Sequence, residues 1–294
     1  MLCLETVVEA LRKTHKTPFT WVRDEPTEDD LQHIIKEGIE TPSEFDPLHL
    51  RKQVIDDLHA GKAKLVVKRG PFAKVLAIVY PDTVIPWNTF ADIFRAFGEP
   101  ATGNPTWRIL WFAHPKKREF PSPESKHAPF TIQQKNINAS FHLNQVQPVH
   151  INGGYAYPCQ PETIVIYREE EVCRVLVHEL LHAACTDNMK HPEWMREVLT
   201  ETWAEIFLIA ILAKGSMGKA KKLWKIQAQW IADQESVLKG VYGVISPESY
   251  AWRYTVGRRQ ALLRLGMGDT LPKGTPDLFP NSLRFTSPEV DYNA

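Results

Sequence analysis

His178, Glu179 and His182 stand in the spacing H-E-x-x-H, the arrangement in this chain with the most chemistry in it. On a helix turning about 100° per residue, positions 178 and 182 project about 40° apart, one turn above the other, so two imidazoles reach one ion. Glu179 lies about 100° round the helix, near enough to orient a water at that ion and take its proton, yet turned away from the ion itself. Cys173, Leu176, Val177, Leu180 and Ala184 form an apolar stripe roughly opposite the histidines, which predicts a buried helix. Two buried imidazoles and a carboxylate need partners, since each unpaired polar group costs on the order of 1–3 kcal/mol, and a single Zn2+ is the economical one.

A catalytic zinc keeps three protein ligands and one open position, so a third ligand must come from elsewhere. The next helical pattern opens at Pro192 and carries Glu193, Glu197, Glu201 and Glu205. Glu201 and Glu205 fall on one stripe with Trp194, Val198, Leu208 and Leu212, and carboxylates on an apolar stripe call for a cation.

These residues resemble the gluzincin class of zinc metallopeptidases, whose third ligand is a glutamate on the helix after the H-E-x-x-H helix. Eighteen residues separate His182 from Glu201, as in the zinc aminopeptidases of the thermolysin-like clan, and Thr200-Glu201-Thr202-Trp203-Ala204 is similar to their Asn-Glu-Gly-Phe-Ala. The resemblance implies that Glu201 is the third ligand and that Glu205 orients a ligand histidine. Helix rise leaves a rival open. If the first helix stops near Cys185 and the second starts at Pro192, His182 lies about 5 Å from the connection, Glu197 about 7 Å and Glu201 about 13 Å. Helices that cross at an angle, or a longer first helix, favour Glu201; strictly antiparallel helices favour Glu197.

Zinc hydrolysis also uses a hydrogen-bond donor for the developing oxyanion. Tyr250, Arg253 and Tyr254 share a later helical segment, and the resemblance implies Tyr254 or Tyr250 in that role. The strand at 163–167 resembles the zincin edge strand that pairs with an extended substrate. Cys185 shares the histidine face and is either a soft-metal ligand or a small core residue. Asp187 and His191 lie in the interhelical connection, where capping and solvated roles are commoner than catalysis. More narrowly, Tyr167-Arg168-Glu169-Glu170-Glu171 leading into the motif, with segments 136–140 and 151–155, is similar to metallopeptidases encoded by large DNA viruses.

The elements that must position these groups read as α+β: strands followed by helices rather than strict alternation. The first hundred residues alternate helical patterns at 4–14, 28–39 and 47–60 with strands at 63–68 and 74–80, then a helix at 88–97 and a strand at 107–112. A proline-rich charged stretch at 114–129 marks a boundary. Short strands at 130–133, 138–143 and 163–167 and helices at 169–185, 192–213, 217–238 and 248–264 follow. The expected organisation is an N-terminal α+β region over 1–118, a zincin-like catalytic domain over 119–268 with a small mixed sheet and a helical subdomain carrying the zinc site, and an extended tail over 269–294.

The chain has 294 residues, 43% apolar and 24% charged, which is ordinary globular composition and excludes a disordered or collagenous chain. Its 35 basic and 35 acidic side chains cancel, so nucleic acid is not the expected partner. The longest apolar run, at 206–213, is far short of the roughly 20 residues of a bilayer-crossing helix. No secretory signal pattern opens the sequence and the four cysteines have no framework spacing, so the expected setting is intracellular, or virion-associated on the viral resemblance, with reduced thiols. The expected activity is zinc-dependent hydrolysis of a peptide bond in a peptide or protein substrate, with Glu179 as general base. Endopeptidase action is the default, because the Gly-x-Met-Glu-Asn segment that anchors a free amino terminus in zinc aminopeptidases is missing. The alternatives are hydrolysis of a non-peptide amide at the same centre and a non-catalytic binding or virion-structural protein in which zinc staples two helices.

Overall fold

A computed structural model of the chain describes residues 1–42, 44, 46–101, 106–121, 146–267, 273–275 and 279–291. The elements run α1 (Leu2–Leu11), β1 (Val22–Arg23), α2 (Glu28–Ile35), α3 (Leu50–His59), β2 (Lys64–Arg69), β3 (Ala73–Val79), α4 (Trp87–Phe97), β4 (Trp107–Phe112), α5 (Pro148–Ile151), β5 (Gly154–Ala156), β6 (Ile164–Ile166), α6 (Val172–Ala183), α7 (Glu193–Ala213) and α8 (Met217–Gly240). Three short elements, α9 (Tyr250–Trp252), α10 (Arg258–Leu262) and α11 (Pro288–Asp291), complete the described chain. Wide π-type turns at Arg253–Gly257 and Leu263–Met267 interrupt the single helix expected over 248–264. The strands expected at 130–133 and 138–143 lie outside the described residues.

The fold is α+β, built on one mixed sheet in the order β1-β2-β3-β4-β6-β5. β3 pairs in parallel with β4, and β4 with β6, while β1, β2 and β5 run antiparallel to their neighbours. The sheet crosses the boundary expected near residue 118, since β4 and β6 come from either side of it.

β3 is buried along its whole length, so its alternating side chains must both find apolar partners. Ala73, Val75, Ala77 and Val79 face a core shared with α1, α4, α6, α7 and α8. Leu76 and Ile78 face a second core with Val54 and Ile55 of α3 and Val165 of β6. α6 therefore sits against one sheet face with α7 behind it, and all twelve of its residues are buried.

Two expectations change here. The strand at 163–167 is interior, because β6 lies between β4 and β5; the edge belongs to β5, a three-residue strand that the sequence conceals behind two glycines. The cysteines are not all reduced: Cys159 and Cys185 form a disulfide across a sequence separation of 26, leaving Cys3 and Cys173 free. Closing a loop of that size stabilises a fold by about 3 kcal/mol on the chain-entropy account. Among the described residues no helix is long and apolar enough to cross a membrane.

Candidate metal centre

α6 presents His178 and His182 from one face, with their Nε2 atoms 3.0 Å apart. One ligand atom each from His178, Glu179 and His182 lie within 4.8 Å of one another. Each imidazole has a carboxylate behind it. Asp187 Oδ2 bonds to Nδ1 of His182 at 2.7 Å, and Glu201 Oε1 lies 2.9 Å from Nδ1 of His178, close but not aligned as a hydrogen bond. A carboxylate at Nδ1 favours a proton there, and both Nε2 atoms face the same space. Two facing lone pairs repel unless a cation or a proton lies between them.

The third group facing that space is Glu197. Its two oxygens lie 3.7 Å from Nε2 of His178 and 3.6 Å from Nε2 of His182. Glu201 is on the far side of His178, and its second oxygen accepts from buried Arg174. Glu197, the rival, faces the two Nε2 atoms here, and the expected ligand Glu201 does not. Its carboxylate is spent between Nδ1 and a guanidinium, whereas Glu197, one turn nearer the connection, faces the Nε2 atoms. Glu205 is one layer further back than expected. It touches no histidine but accepts from Arg258 at 2.9 Å and Gln227 at 3.1 Å. The role of orienting a histidine falls to Glu201 and Asp187.

Burial by itself would depress the His178 pKa, but Glu201, Glu179 and Glu197 outweigh it and raise it to about 9. Burial pushes Glu179 up to about 7, the histidines pulling it down and Glu197 and Glu201 adding to the rise. Glu201 moves the other way, to about 2, because Arg174 and His178 overcome its burial. Four carboxylates, Glu179, Asp187, Glu197 and Glu201, around two imidazoles thus form a site with an affinity for positive charge. A nitrogen and oxygen donor set of this kind could hold a metal ion.

The raised Glu179 pKa has a measurable consequence. Below its unfolded value of about 4.5 the carboxyl is protonated in both states; as pH rises through about 7 only the folded protein bears the penalty of a buried charge, so stability is lost over that window. Metal-free Glu179→Gln is expected to melt above the metal-free parent at pH 8, with the difference closing below pH 4.5. Thermal melts across that range in the presence of a chelator check it.

β5 forms the wall beside Glu179. A Cβ on Gly154 would stand 2.6 Å from Val175 Cγ1, 2.8 Å from the Val165 carbonyl and 3.1 Å from Glu179 Oε1, so only glycine lets the strand pass this close. The opposite wall carries both candidate tyrosines. Tyr250 donates to Asn152 Oδ1 at 2.6 Å and its hydroxyl lies 2.9 Å from that of Tyr254. Burial raises the pKa of Tyr250 to about 12 and that of Tyr254 well above the usual phenol range, so both keep their protons at neutral pH. Arg253 does not join them, since it pairs with Glu193 and lies over the Tyr250 ring. His191 contributes a backbone carbonyl to Arg196. Cys185 is excluded as a thiolate ligand by its disulfide.

Sequence reasoning passed over the floor of this cleft. Arg118, Arg174 and Arg258 are fully buried around the ring of Phe285, with guanidinium carbons 5.2, 5.9 and 5.7 Å from its centroid. Tyr254 stacks on the same ring at 5.7 Å. Glu171 holds the segment there by accepting from the backbone N–H groups of Phe285 and Thr286. Arg174 was legible in one respect, because it precedes His178 by four residues and so shares its helix face.

The cleft so formed, about 230 Å3, contains His178, Glu179, His182, Glu197, Tyr250 and Tyr254. Comparison with models of known protein families, with curated proteins and with solved structures finds no match to this chain.

Proposed function

We propose that the protein is a zinc-dependent hydrolase of peptide bonds, with His178, His182 and Glu197 holding the metal. The observation that carries this reading is the convergence of the two Nε2 atoms and the Glu197 carboxylate on one space, with Glu179 beside it. Zinc in such a site supplies Lewis acidity, polarising the scissile carbonyl and lowering the pKa of water toward about 7.

The chain's own residues account for the remaining steps. Glu179, buried one residue along the helix from His178 and facing the same cleft, accepts the proton of the attacking water and returns it to the leaving amine. Tyr254 or Tyr250, both protonated, gives up its resting hydrogen bond and donates to the oxyanion as it forms. β5, whose outer edge pairs with no other strand among the described residues, is placed to accept an extended peptide as an added antiparallel strand. This is the zincin arrangement that the motif resembles, with the ligand moved from Glu201 to Glu197.

The staple reading is weaker on this geometry. Closed structural zinc sites use four protein ligands, often thiolates, and here the nearest cysteine is locked in a disulfide. A staple also has no use for a carboxylate placed beside the two histidines without ligating.

The test is a mixed peptide library incubated with zinc-loaded protein and read by mass spectrometry. Internal cleavage that stops with a chelator and returns with added zinc is expected. A library left intact by protein that demonstrably binds zinc would contradict peptidase action and point to a non-peptide amide or to the staple.

A further inference from the structure

We propose that the Cys159–Cys185 disulfide is a thiol-redox site that controls the metal centre, with a dithiol reductant as its reaction partner. The proposal rests on the metal-centre reading above. It concerns what the bond restrains rather than the bond itself.

Both cysteines are exposed, so a reductant reaches them without unfolding the protein. Each is tied to a ligand histidine: the backbone N–H groups of Cys159 and Cys185 donate to the same carbonyl, that of His182, at 3.2 and 3.1 Å. Two residues past Cys185, Asp187 holds Nδ1 of His182. Three residues before Cys159, β5 ends at Ala156, and Pro158 lines the cleft. One covalent bond therefore joins the loop that follows the substrate-pairing strand to the histidine-orienting loop that follows α6.

Cys185, left-handed at φ 60°, ends the α6 turn, its N–H and that of Thr186 closing on the His182 and Leu181 carbonyls, and Cys159 is likewise left-handed at φ 63°. The chemistry balances simply. A thiolate of the dithiol attacks one sulfur to give a mixed disulfide, and its second thiol releases the other. Two electrons and two protons pass to Cys159 and Cys185, and the reductant leaves as its own disulfide. With the loops untied, Asp187 no longer holds the His182 ring in place, and zinc affinity falls by about the 10- to 100-fold typical of losing such a partner.

Two readouts on the full chain test this. Amide hydrogen exchange of the metal-free protein, oxidised against dithiothreitol-reduced, is expected to speed up at 157–163 and 184–191 and to stay unchanged in β2, β3 and β4. Zinc affinity, by competition with a chromophoric chelator, is compared between the oxidised protein and Cys159→Ser/Cys185→Ser, which mimics the reduced form without thiols to bind zinc. A drop of about tenfold or more is expected. Re-oxidation of the reduced parent should restore the original exchange pattern. Unchanged loop exchange, or faster exchange throughout the sheet, overturns the local clamp. Equal and measurable zinc affinities overturn redox control while leaving the metal centre standing. Failure of the oxidised protein to bind zinc overturns the metal-centre reading and redox control together, leaving the exchange data to report on the clamp alone.

Discussion

Glu179→Gln is expected to keep its zinc and lose peptide cleavage by about two to four orders of magnitude, the usual contribution of a positioned general base. The substitution preserves the shape of the side chain, so β5, where a Cβ added to Gly154 would already stand 3.1 Å from Glu179 Oε1, has no cause to move. The amide cannot accept a proton from water at neutral pH. It also removes a buried carboxylate that competes for charge with Glu197 and Glu201, so zinc binding is set by the remaining ligands. Turnover on a cleaved peptide, measured beside bound zinc per chain, separates the two effects. Unchanged turnover with full zinc occupancy would contradict the assigned role.

The second large effect distinguishes two glutamates one helical turn apart. Glu197→Ala is expected to weaken zinc binding by more than about 100-fold, beyond the 10- to 100-fold cost of losing an outer partner. Its effect on stability should be small, since Glu197 is partly exposed and its contacts to the histidines are 3.6 and 3.7 Å. Glu201→Gln should show the reverse balance. Zinc affinity falls within the 10- to 100-fold range because His178 loses the charge behind it, whereas stability drops by roughly 3 kcal/mol because Arg174 is left buried without its carboxylate. Zinc competition and denaturant unfolding on the two variants give a crossed pattern. A ligand role for Glu201 predicts the opposite order in zinc affinity.

The same pair shows where the sequence was readable and where it was not. The local geometry of α6 was fully legible, because a four-residue spacing on a helix fixes the relation of His178 to His182 without reference to the rest of the fold. Most helices and the long strands were legible for the same reason, from periodicity alone. The third ligand depends on how α6 and α7 cross, which no periodicity encodes. The rise along each helix already favoured Glu197 for antiparallel helices, while the eighteen-residue spacing of the resemblance favoured Glu201; the side chains follow the rise.

Other misses share a long-range cause. β5 has three residues, of which Gly154 carries no hydrophobic signal, and it exists because β6 offers a partner. Cys159 and Cys185 lie on different loops, so their pairing depends on the sheet edge lying against the end of α6. Phe285 comes from the segment read as an extended tail, yet its ring is where three buried guanidinium groups and Tyr254 meet. Asp187 looked like a loop cap because its partner, Nδ1 of His182, becomes visible only when the chain reverses after α6.

The most direct test of the metal centre is a crystal structure of the zinc-soaked protein with anomalous scattering measured on both sides of the zinc edge. The account predicts one strong peak, at about 2.0–2.2 Å from Nε2 of His178, Nε2 of His182 and an oxygen of Glu197, with Glu179 outside bonding distance. A peak ligated by Glu201 instead of Glu197, or no peak between the two histidines at saturating zinc, would contradict it.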